Sequence, residues 1–360
     1  MPTPIVTPHH KPAKQARGRR IVLLLVGFIV AGQGLAGYVI DHHGLAIRFP
    51  TAATALSDAE DGPPPQIIWM GSSRSEALRP DVMNTGLWKR YGRHRVNLFN
   101  AAVPAGDPVT SEFLLDAFLE RGHRPEILVV EVCPYLLMRN SIMVGMHVIR
   151  QTNWSDVPAF LPEAVSTNNL ARLASARLMP LYLHRRSIRG LLLPPKTGEP
   201  PALHSHRSWV TGHPRFAHLW EYPEVPTPPE LAQGRVEFDT KKIGQLFQNY
   251  QPDGVASAAL GRLLSRCKAE GISVVLVFPA VAEAMRDQYT PTIEQRFLDE
   301  LTRMRQIHPF EIVDLRDTVP DAGFNDLLHL SSSGGLIYSR IALERVVLPA
   351  VERRGIGVSR

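Results

Sequence analysis

Hydrophobic residues along this chain form short continuous runs that alternate with longer amphipathic stretches. Runs typical of strands buried on both faces lie at 66–71, 95–102, 126–132, 272–279 and 310–315. Helical patterns lie between or after them at 108–121, 255–270, 292–306 and 333–352. The alternation predicts an α/β domain over residues 66–353, with a flavodoxin-like parallel sheet sandwiched by helices.

The strand rhythm stops between residues 139 and 250, where prolines, histidines, arginines and tryptophans accumulate. We interpret this segment as a long insertion, partly helical near 157–190, and leave open a lid, a partner surface or simple padding. Four histidines fall within it, at positions 204, 206, 213 and 218. No cysteine or acidic residue accompanies them at metal-ligand spacing, so we expect exposed loop histidines and no metal site.

The N-terminal apolar stretch at 21–40 is twenty residues without a charge, about the length of a membrane-spanning helix. Five basic residues and no acidic residue precede it, which by the positive-inside rule leaves residues 1–20 in the cytoplasm. We therefore expect a single-pass membrane protein whose domain is periplasmic or outside the cell. A cleaved signal peptide is the alternative, with the small residues "GLAG" at 34–37 as its processing site. We favour the uncleaved anchor, because the apolar run is longer than a usual signal core.

Residues 41–65 include a small, polar and proline-rich stretch that predicts a linker between anchor and domain. The net charge of +6 arises mainly from the basic tail, since the rest of the chain has 35 basic and 34 acidic residues. Nucleic acid is therefore not expected as a partner. Cys133 and Cys267 are the two cysteines, and we expect two buried free thiols rather than a disulfide.

Candidate chemistry begins at "GSSR", residues 71–74, where the first buried strand passes into a helical pattern. Open α/β sheets bind their ligands at the carboxyl ends of strands, so a serine here is well placed for a nucleophile. Amide groups at the following helix start could stabilise an oxyanion. A serine that only caps the helix is the alternative.

A serine nucleophile needs a base, and "FNDLLHL" near the other end of the chain contains Asp326 and His329. A carboxylate three residues before a histidine can hold one imidazole nitrogen while the other faces the serine. A structural, helix-capping use of the two residues is the alternative.

With these two blocks the chain resembles the SGNH, or GDSL-like, hydrolases and acyltransferases. It is most similar to the membrane-anchored branch that includes the D-alanine-transfer and alginate O-acetyltransferase proteins. The resemblance covers roughly 66–135 and 255–350. It implies Ser73 as nucleophile, Asp326 and His329 as the rest of a catalytic triad, and Gly106 as a weaker oxyanion candidate.

The resemblance has one clear departure. The glycine-then-asparagine of the family's third block is absent, since the third strand ends in "EVCPYLLMRN". Asn100 and Asn140 are the substitutes nearby, and we assign the role to neither. Arg74 could orient an anionic substrate group, or equally take part in a salt bridge.

The function implied is an extracytoplasmic serine acyltransferase or esterase that forms an acyl-serine on an envelope or exported glycan, with no cofactor. Whether a multipass membrane protein delivers the acyl group stays open, as does hydrolysis against transfer. A catalytically inactive SGNH-like glycan-binding or scaffold module is the main alternative, and an interaction protein with a flavodoxin-like domain is another. A nucleotide-binding enzyme is disfavoured, because neither a GxGxxG nor a P-loop pattern follows the first strand.

Overall fold

A parallel five-stranded sheet forms the centre of the protein in the computed structural model. The structure describes residues 13–93, 95–139, 154, 156–166, 168–192 and 240–357. The strands are β1 (Ile67–Met70), β2 (Leu98–Asn100), β3 (Ile127–Glu131), β4 (Ser273–Phe278) and β5 (Phe310–Asp314). They lie in the order β2-β1-β3-β4-β5. Each strand falls within an apolar run that the sequence pattern assigned to a strand, so the prediction of a parallel α/β sheet is confirmed.

Helices cover both faces of this sheet. In chain order these α-helices are α1 (Ala13–His43), α2 (Leu45–Arg48), α3 (Pro50–Glu60), α4 (Ser73–Glu76), α5 (Pro80–Tyr91), α6 (Pro108–Glu120), α7 (Pro134–Leu137), α8 (Val157–Ser166), α9 (Leu170–Leu178), α10 (Pro180–Leu183), α11 (Arg185–Leu192), α12 (Val255–Glu270), α13 (Glu283–Arg286), α14 (Pro291–Arg305), α15 (Ser332–Ala342) and α16 (Leu348–Arg354). A short 3₁₀ turn spans Asp321–Gly323.

The strand side chains alternate between two hydrophobic cores, as the period of two requires. Ile68 and Met70 of β1 face a core shared with α3, α6, α12 and α14. Ile67 and Trp69 face a second core shared with α5, α15 and α16. Both faces of the sheet are therefore buried, which explains why the strands are apolar throughout.

The predicted linker at 41–65 differs from the structure. Pro50–Glu60 is a helix whose Ala52, Ala55 and Leu56 are fully or almost fully buried in the first core. Proline in the first turn suits a helix start, and small alanines permit close packing against the sheet layer. The composition of this segment is typical of a linker, but its apolar residues recur at helical spacing and pack against the first core.

Within the described residues, one helix is long and apolar enough to cross a membrane, with its candidate span at Arg17–His43 and a mean hydropathy of 2.0. This helix, α1, continues beyond the apolar stretch to His43 and is followed at once by α2. Asp41 near its end lies 2.9 Å from Arg177 and 3.8 Å from Arg48, and all three side chains are buried. The end of α1 is thereby fixed to the folded domain.

The insertion between β3 and β4 contains the helices α8–α11, in the region where the sequence predicted partial helicity. The four histidines at 204, 206, 213 and 218 lie outside the described residues, as does Asn140.

The predicted helix at 333–352 is interrupted by a π-helical segment, Leu343–Val347, between α15 and α16. Pro349 follows this segment and has no amide hydrogen, so a widened turn accommodates it without ending the helix. Cys133 and Cys267 are both free and buried, which confirms the expectation of two buried thiols.

Candidate active site

Ser73 lies at the carboxyl end of β1, beside the point where the strand order reverses. The chain runs from β1 outward to β2 and then back to β3 on the other side of β1. Connections leave in opposite directions there, which opens a crevice above the strand ends. Ser73 is the first residue of α4, and Ser72 is its N-cap. The alternative of a capping serine therefore applies to Ser72 and not to its neighbour.

The structure brings Ser73, His329 and Asp326 into one hydrogen-bonded row. Ser73 Oγ lies 2.9 Å from His329 Nε2. On the other side of the ring, His329 Nδ1 lies 2.8 Å from Asp326 Oδ2. With the proton on Nδ1, that nitrogen donates to the carboxylate and Nε2 accepts the serine hydroxyl. This is the arrangement in which an imidazole removes the proton of a serine.

A short loop after the 3₁₀ turn holds Asp326 and His329 in place. Phe324 and Leu330 pair as an antiparallel bridge, and the amide of Asn325 donates to His329 O at 2.8 Å. Asp326 Oδ1 accepts from the amides of Leu328 at 2.9 Å and His329 at 2.7 Å. The three-residue spacing between Asp326 and His329 thus corresponds to a tight turn that the aspartate side chain stabilises by accepting backbone hydrogen bonds.

The electrostatics of the row keep Asp326 ionised. Burial alone would raise the pKa of this carboxyl group. The hydrogen bond from His329, the imidazole charge and two backbone amides outweigh burial and lower the pKa to about 2. Asp326 therefore stays a carboxylate at neutral pH and can stabilise an imidazolium.

A buried polar cluster lies directly beneath the nucleophile. Its centre is Glu131, the last residue of β3, which is 2% exposed. Glu131 accepts hydrogen bonds from the Ser72 amide at 3.0 Å, the Ser72 hydroxyl at 2.6 Å and the Ser75 hydroxyl at 2.5 Å. The carboxylate thereby binds the residues on both sides of Ser73 and Arg74 and fixes the strand-to-helix turn.

Arg74 belongs to this cluster and not to the open crevice. Its guanidinium lies 2.7 Å from Glu131 and its side chain is 3% exposed. The same guanidinium nitrogen, Nη2, lies 3.2 Å from Cys133 Sγ. The structure thus favours the salt-bridge alternative for Arg74 over the orientation of a substrate anion.

Gly106 lies against the nucleophile turn, but its amide is already engaged. The Gly106 amide donates to Val103 O at 2.9 Å, and the Val103 amide donates to Gly71 O at 3.1 Å. A β-carbon at position 106 would come within 2.2 Å of Gly71 O, so only glycine fits there. The role of Gly106 as an oxyanion donor stays a prediction, and in this arrangement the residue permits close backbone approach.

The remaining oxyanion candidates are few. The Ser73 amide is in the first turn of α4, where backbone donors have no partner within the helix. We assign no oxyanion role to Asn100, whose amide nitrogen donates one hydrogen bond to Ser75 O at 2.9 Å and whose oxygen accepts from the Ala102 amide. At the end of β3, the region of the missing third block, the chain has Glu131.

Glu131 is the buried charged residue of the candidate site that sequence reasoning missed. A detectable signal was present, since Glu131 is the one acidic residue inside the apolar core of the run "ILVVEV". Charged side chains are almost never fully buried unless they are paired. An acid at the carboxyl end of a buried strand therefore indicated a polar partner at the same edge of the sheet as "GSSR".

Comparisons with known proteins add little to this geometry. No family model matches the chain, and no curated protein matches it. A Bacteroides fragilis protein named as a candidate acylhydrolase aligns at a TM-score of 0.36 and 11% identity, covering 83% of this chain and 94% of its own. An alpha/beta hydrolase enzyme from the metagenome of Lake Arreo aligns at 0.34 and 10%, covering 81% and 96%. At these TM-scores neither similarity supports an assignment of family or activity.

Proposed function

We propose that this protein is an SGNH-type serine acyltransferase or esterase that works through an acyl-serine at Ser73. One observation carries the proposal: the hydrogen-bonded row of Ser73, His329 and Asp326 at the crevice of a parallel sheet. Two features of the row favour catalysis. Ser73 is half-buried and His329 is exposed, so a substrate can reach both, and Asp326 is ionised.

In the first half of the reaction, Ser73 Oγ attacks the carbonyl carbon of an ester or thioester. The serine proton moves to His329 Nε2, and the carbonyl oxygen becomes an oxyanion that the Ser73 amide stabilises. The bond from carbon to the leaving group then breaks, and the leaving group takes the proton from His329. Asp326 stabilises the imidazolium while that proton is held.

In the second half, a hydroxyl group attacks the acyl-serine. The attacking oxygen gives its proton to His329, the Ser73 Oγ–carbon bond breaks, and His329 returns the proton to the serine. Water as the attacking group gives hydrolysis, and a sugar hydroxyl gives transfer. The two reactions follow the same steps and differ only in the attacking hydroxyl group. The acceptor that enters the crevice therefore decides between hydrolysis and transfer.

A membrane location would support transfer onto an envelope or exported glycan. An N-terminal helix long enough to span a membrane, preceded by basic residues, would hold the domain on the extracytoplasmic face. A tethered catalytic domain there is well placed between a membrane acyl donor and a surface glycan.

Hydrolysis of 4-nitrophenyl acetate by the full chain in detergent tests the catalytic proposal. We expect Ser73→Ala and His329→Gln to lower the rate about 10³-fold or more, because each removes a member of the row. Ser265→Ala is the matched control, since Ser265 is an exposed helix serine whose hydroxyl donates to Gly261 O, and its rate should not change. A wild-type rate no higher than that of folded Ser73→Ala would favour the inactive binding module. With an oligosaccharide added, ester formed on the sugar would distinguish transfer from hydrolysis.

A further inference from the structure

The insertion helices α9–α11 expose an unusual amount of apolar surface. Outside α1, eleven large hydrophobic side chains are recorded as exposed in the described part of the chain, and all but two lie between residues 154 and 192. Those on and beside α9–α11 are Leu170, Leu178, Met179, Leu181, Tyr182 and Leu192. Apolar surface concentrated in one region marks an interaction site.

This surface is continuous with the helix that would span the membrane. Helix α10 packs on α1, where a β-carbon at Gly37 would lie 3.4 Å from Pro180 Cγ. The amide of Leu181 donates to Gln33 Oε1 at 3.3 Å. A first-turn amide has no partner in its own helix, and in a bilayer it must find one elsewhere. Gln33, a polar residue within the apolar stretch, supplies it.

The depth of this contact follows from helix geometry. Residues 21–40 span about 30 Å as a helix, which matches the hydrocarbon core. Gln33 is seven residues before Ile40, so it lies about 10 Å inside the edge of that core at 1.5 Å per residue. Leu181 is bonded to Gln33 and must therefore lie at the level of the bilayer and not above it.

The polar residues of α9–α11 suit the surface of such a bilayer. Residues 170–192 contain five arginines and no acidic residue; Arg177 is buried against Asp41, and the positive charge of the other four complements anionic lipid headgroups. The Arg185 guanidinium lies 4.0 Å from the ring centroid of Tyr182. An exposed tyrosine beside an arginine is typical of the membrane interface, where the ring contacts the acyl boundary and the charge reaches the headgroups.

We propose that Leu170–Leu192 docks on an anionic lipid bilayer beside α1, with Leu178, Met179, Leu181 and Tyr182 inserted into it. The inference rests on the proposed membrane anchoring of α1. The buried ion pairs of Asp41 with Arg177 and Arg48 join the docked helices to the end of the anchor. The insertion thus holds the catalytic domain at one height and orientation above the membrane.

Fluorescence quenching in vesicles tests this placement. The full chain carries an environment-sensitive fluorophore on one introduced cysteine, Leu181→Cys, in phosphatidylcholine–phosphatidylglycerol vesicles that contain a doxyl-labelled lipid. Both native cysteines are buried and remain unlabelled in the folded protein. Leu24→Cys reports on α1, and Leu298→Cys is the matched control on an exposed leucine of α14.

For the probes at 24 and 181, we expect blue-shifted emission and weaker fluorescence in vesicles with the doxyl-labelled lipid than in vesicles without it. The probe at 298 should show neither change. Quenching at 24 without quenching at 181 would overturn the docking inference and leave the anchor intact. That result would also be obtained if another protein or another part of the chain covered the surface. Absence of quenching at 24 would overturn both anchor and docking. Ester hydrolysis measured in the same vesicles reports separately on the catalytic proposal.

Discussion

At the residue scale, two adjacent serines have different tasks because they face different partners. Ser72 caps α4 and bonds Glu131, whereas Ser73 faces His329. Sequence reasoning selected Ser73, Asp326 and His329 as candidates because "GSSR" and "FNDLLHL" resemble two motif blocks of one family, and the structure brings the three residues together. The use of Ser72, Ser75 and Arg74 was not predictable, since it depends on Glu131, fifty-six to fifty-nine residues away in the chain.

Replacement of Glu131 tests the buried cluster. Glu131→Gln leaves the Arg74 charge without its buried partner, so we expect a loss of about 3 kcal/mol in the free energy of unfolding. Glu311→Gln breaks an exposed ion pair with Arg353 and should cost less than about 1 kcal/mol. Urea unfolding of both variants in detergent makes the comparison. Equal losses would mean that the Glu131 cluster does not stabilise the domain.

The low pKa of Asp326 predicts a pH dependence of stability. A carboxyl group with pKa about 2 in the folded chain and an ordinary value near 3.8 when unfolded stabilises the fold above pH 4. That contribution, about 2 kcal/mol, is lost as pH falls from about 4 to 2, because the unfolded chain takes up the proton first. The free energies of unfolding of wild type and Asp326→Asn, plotted against pH, should therefore converge as pH falls from about 4 to 2. Curves that stay parallel would contradict the assigned ion pair with His329.

At the element scale, continuous apolar runs predicted all five strands because both faces of a parallel sheet are buried. Helix α3 was not predicted, because its small and polar residues have the composition of a flexible linker. The helix is stabilised by packing against the sheet layer, and composition alone does not reveal that contact. The π-helical segment was missed for a related reason. A proline in a helical pattern does not reveal whether the helix ends or widens.

The loop after β2 lies close to the turn that carries Ser73. This contact leads to a prediction for position 106. Gly106→Ala places a β-carbon against Gly71 O and must displace the turn that carries Ser73. We expect a loss of about 1–3 kcal/mol in unfolding free energy, as for overpacked sites, together with slower ester hydrolysis.

Gly261→Ala is the matched control for that substitution. Gly261 is in α12, and a β-carbon there would lie 3.5 Å from the Ile307 side chain, an ordinary van der Waals distance. Alanine is the better helix former, so stability should be unchanged or higher by up to about 1 kcal/mol. Equal stability and turnover in both variants would show that position 106 tolerates a side chain.

At the scale of the whole molecule, the apolar helix α1 and the α/β domain form one connected structure and not two parts on a flexible tether. Asp41 is at the junction, between the buried guanidinium groups of Arg48 and Arg177. Sequence composition did not reveal this, because the three residues come from three separate segments of the chain.

Removal of the junction charge should loosen the connection. Asp41→Asn removes the carboxylate that the buried Arg177 and Arg48 side chains contact, so we expect proteolytic cleavage between α1 and α3 to become about 10²-fold faster, equivalent to about 3 kcal/mol. Asp81→Asn, which breaks a half-exposed pair with Arg79, should leave that rate unchanged. Cleavage of Asp41→Asn at the wild-type rate would mean that the ion pairs do not fix the anchor.

Activation of Ser73 by His329 can be tested by covalent labelling of the nucleophile. The full chain would be treated with a fluorophosphonate, and the modified residue located by peptide mass spectrometry. We expect an adduct on Ser73 and not on Ser72, and its loss in folded His329→Gln. An adduct on Ser72, an adduct that survives His329→Gln, or no adduct on the folded wild-type protein would contradict this activation.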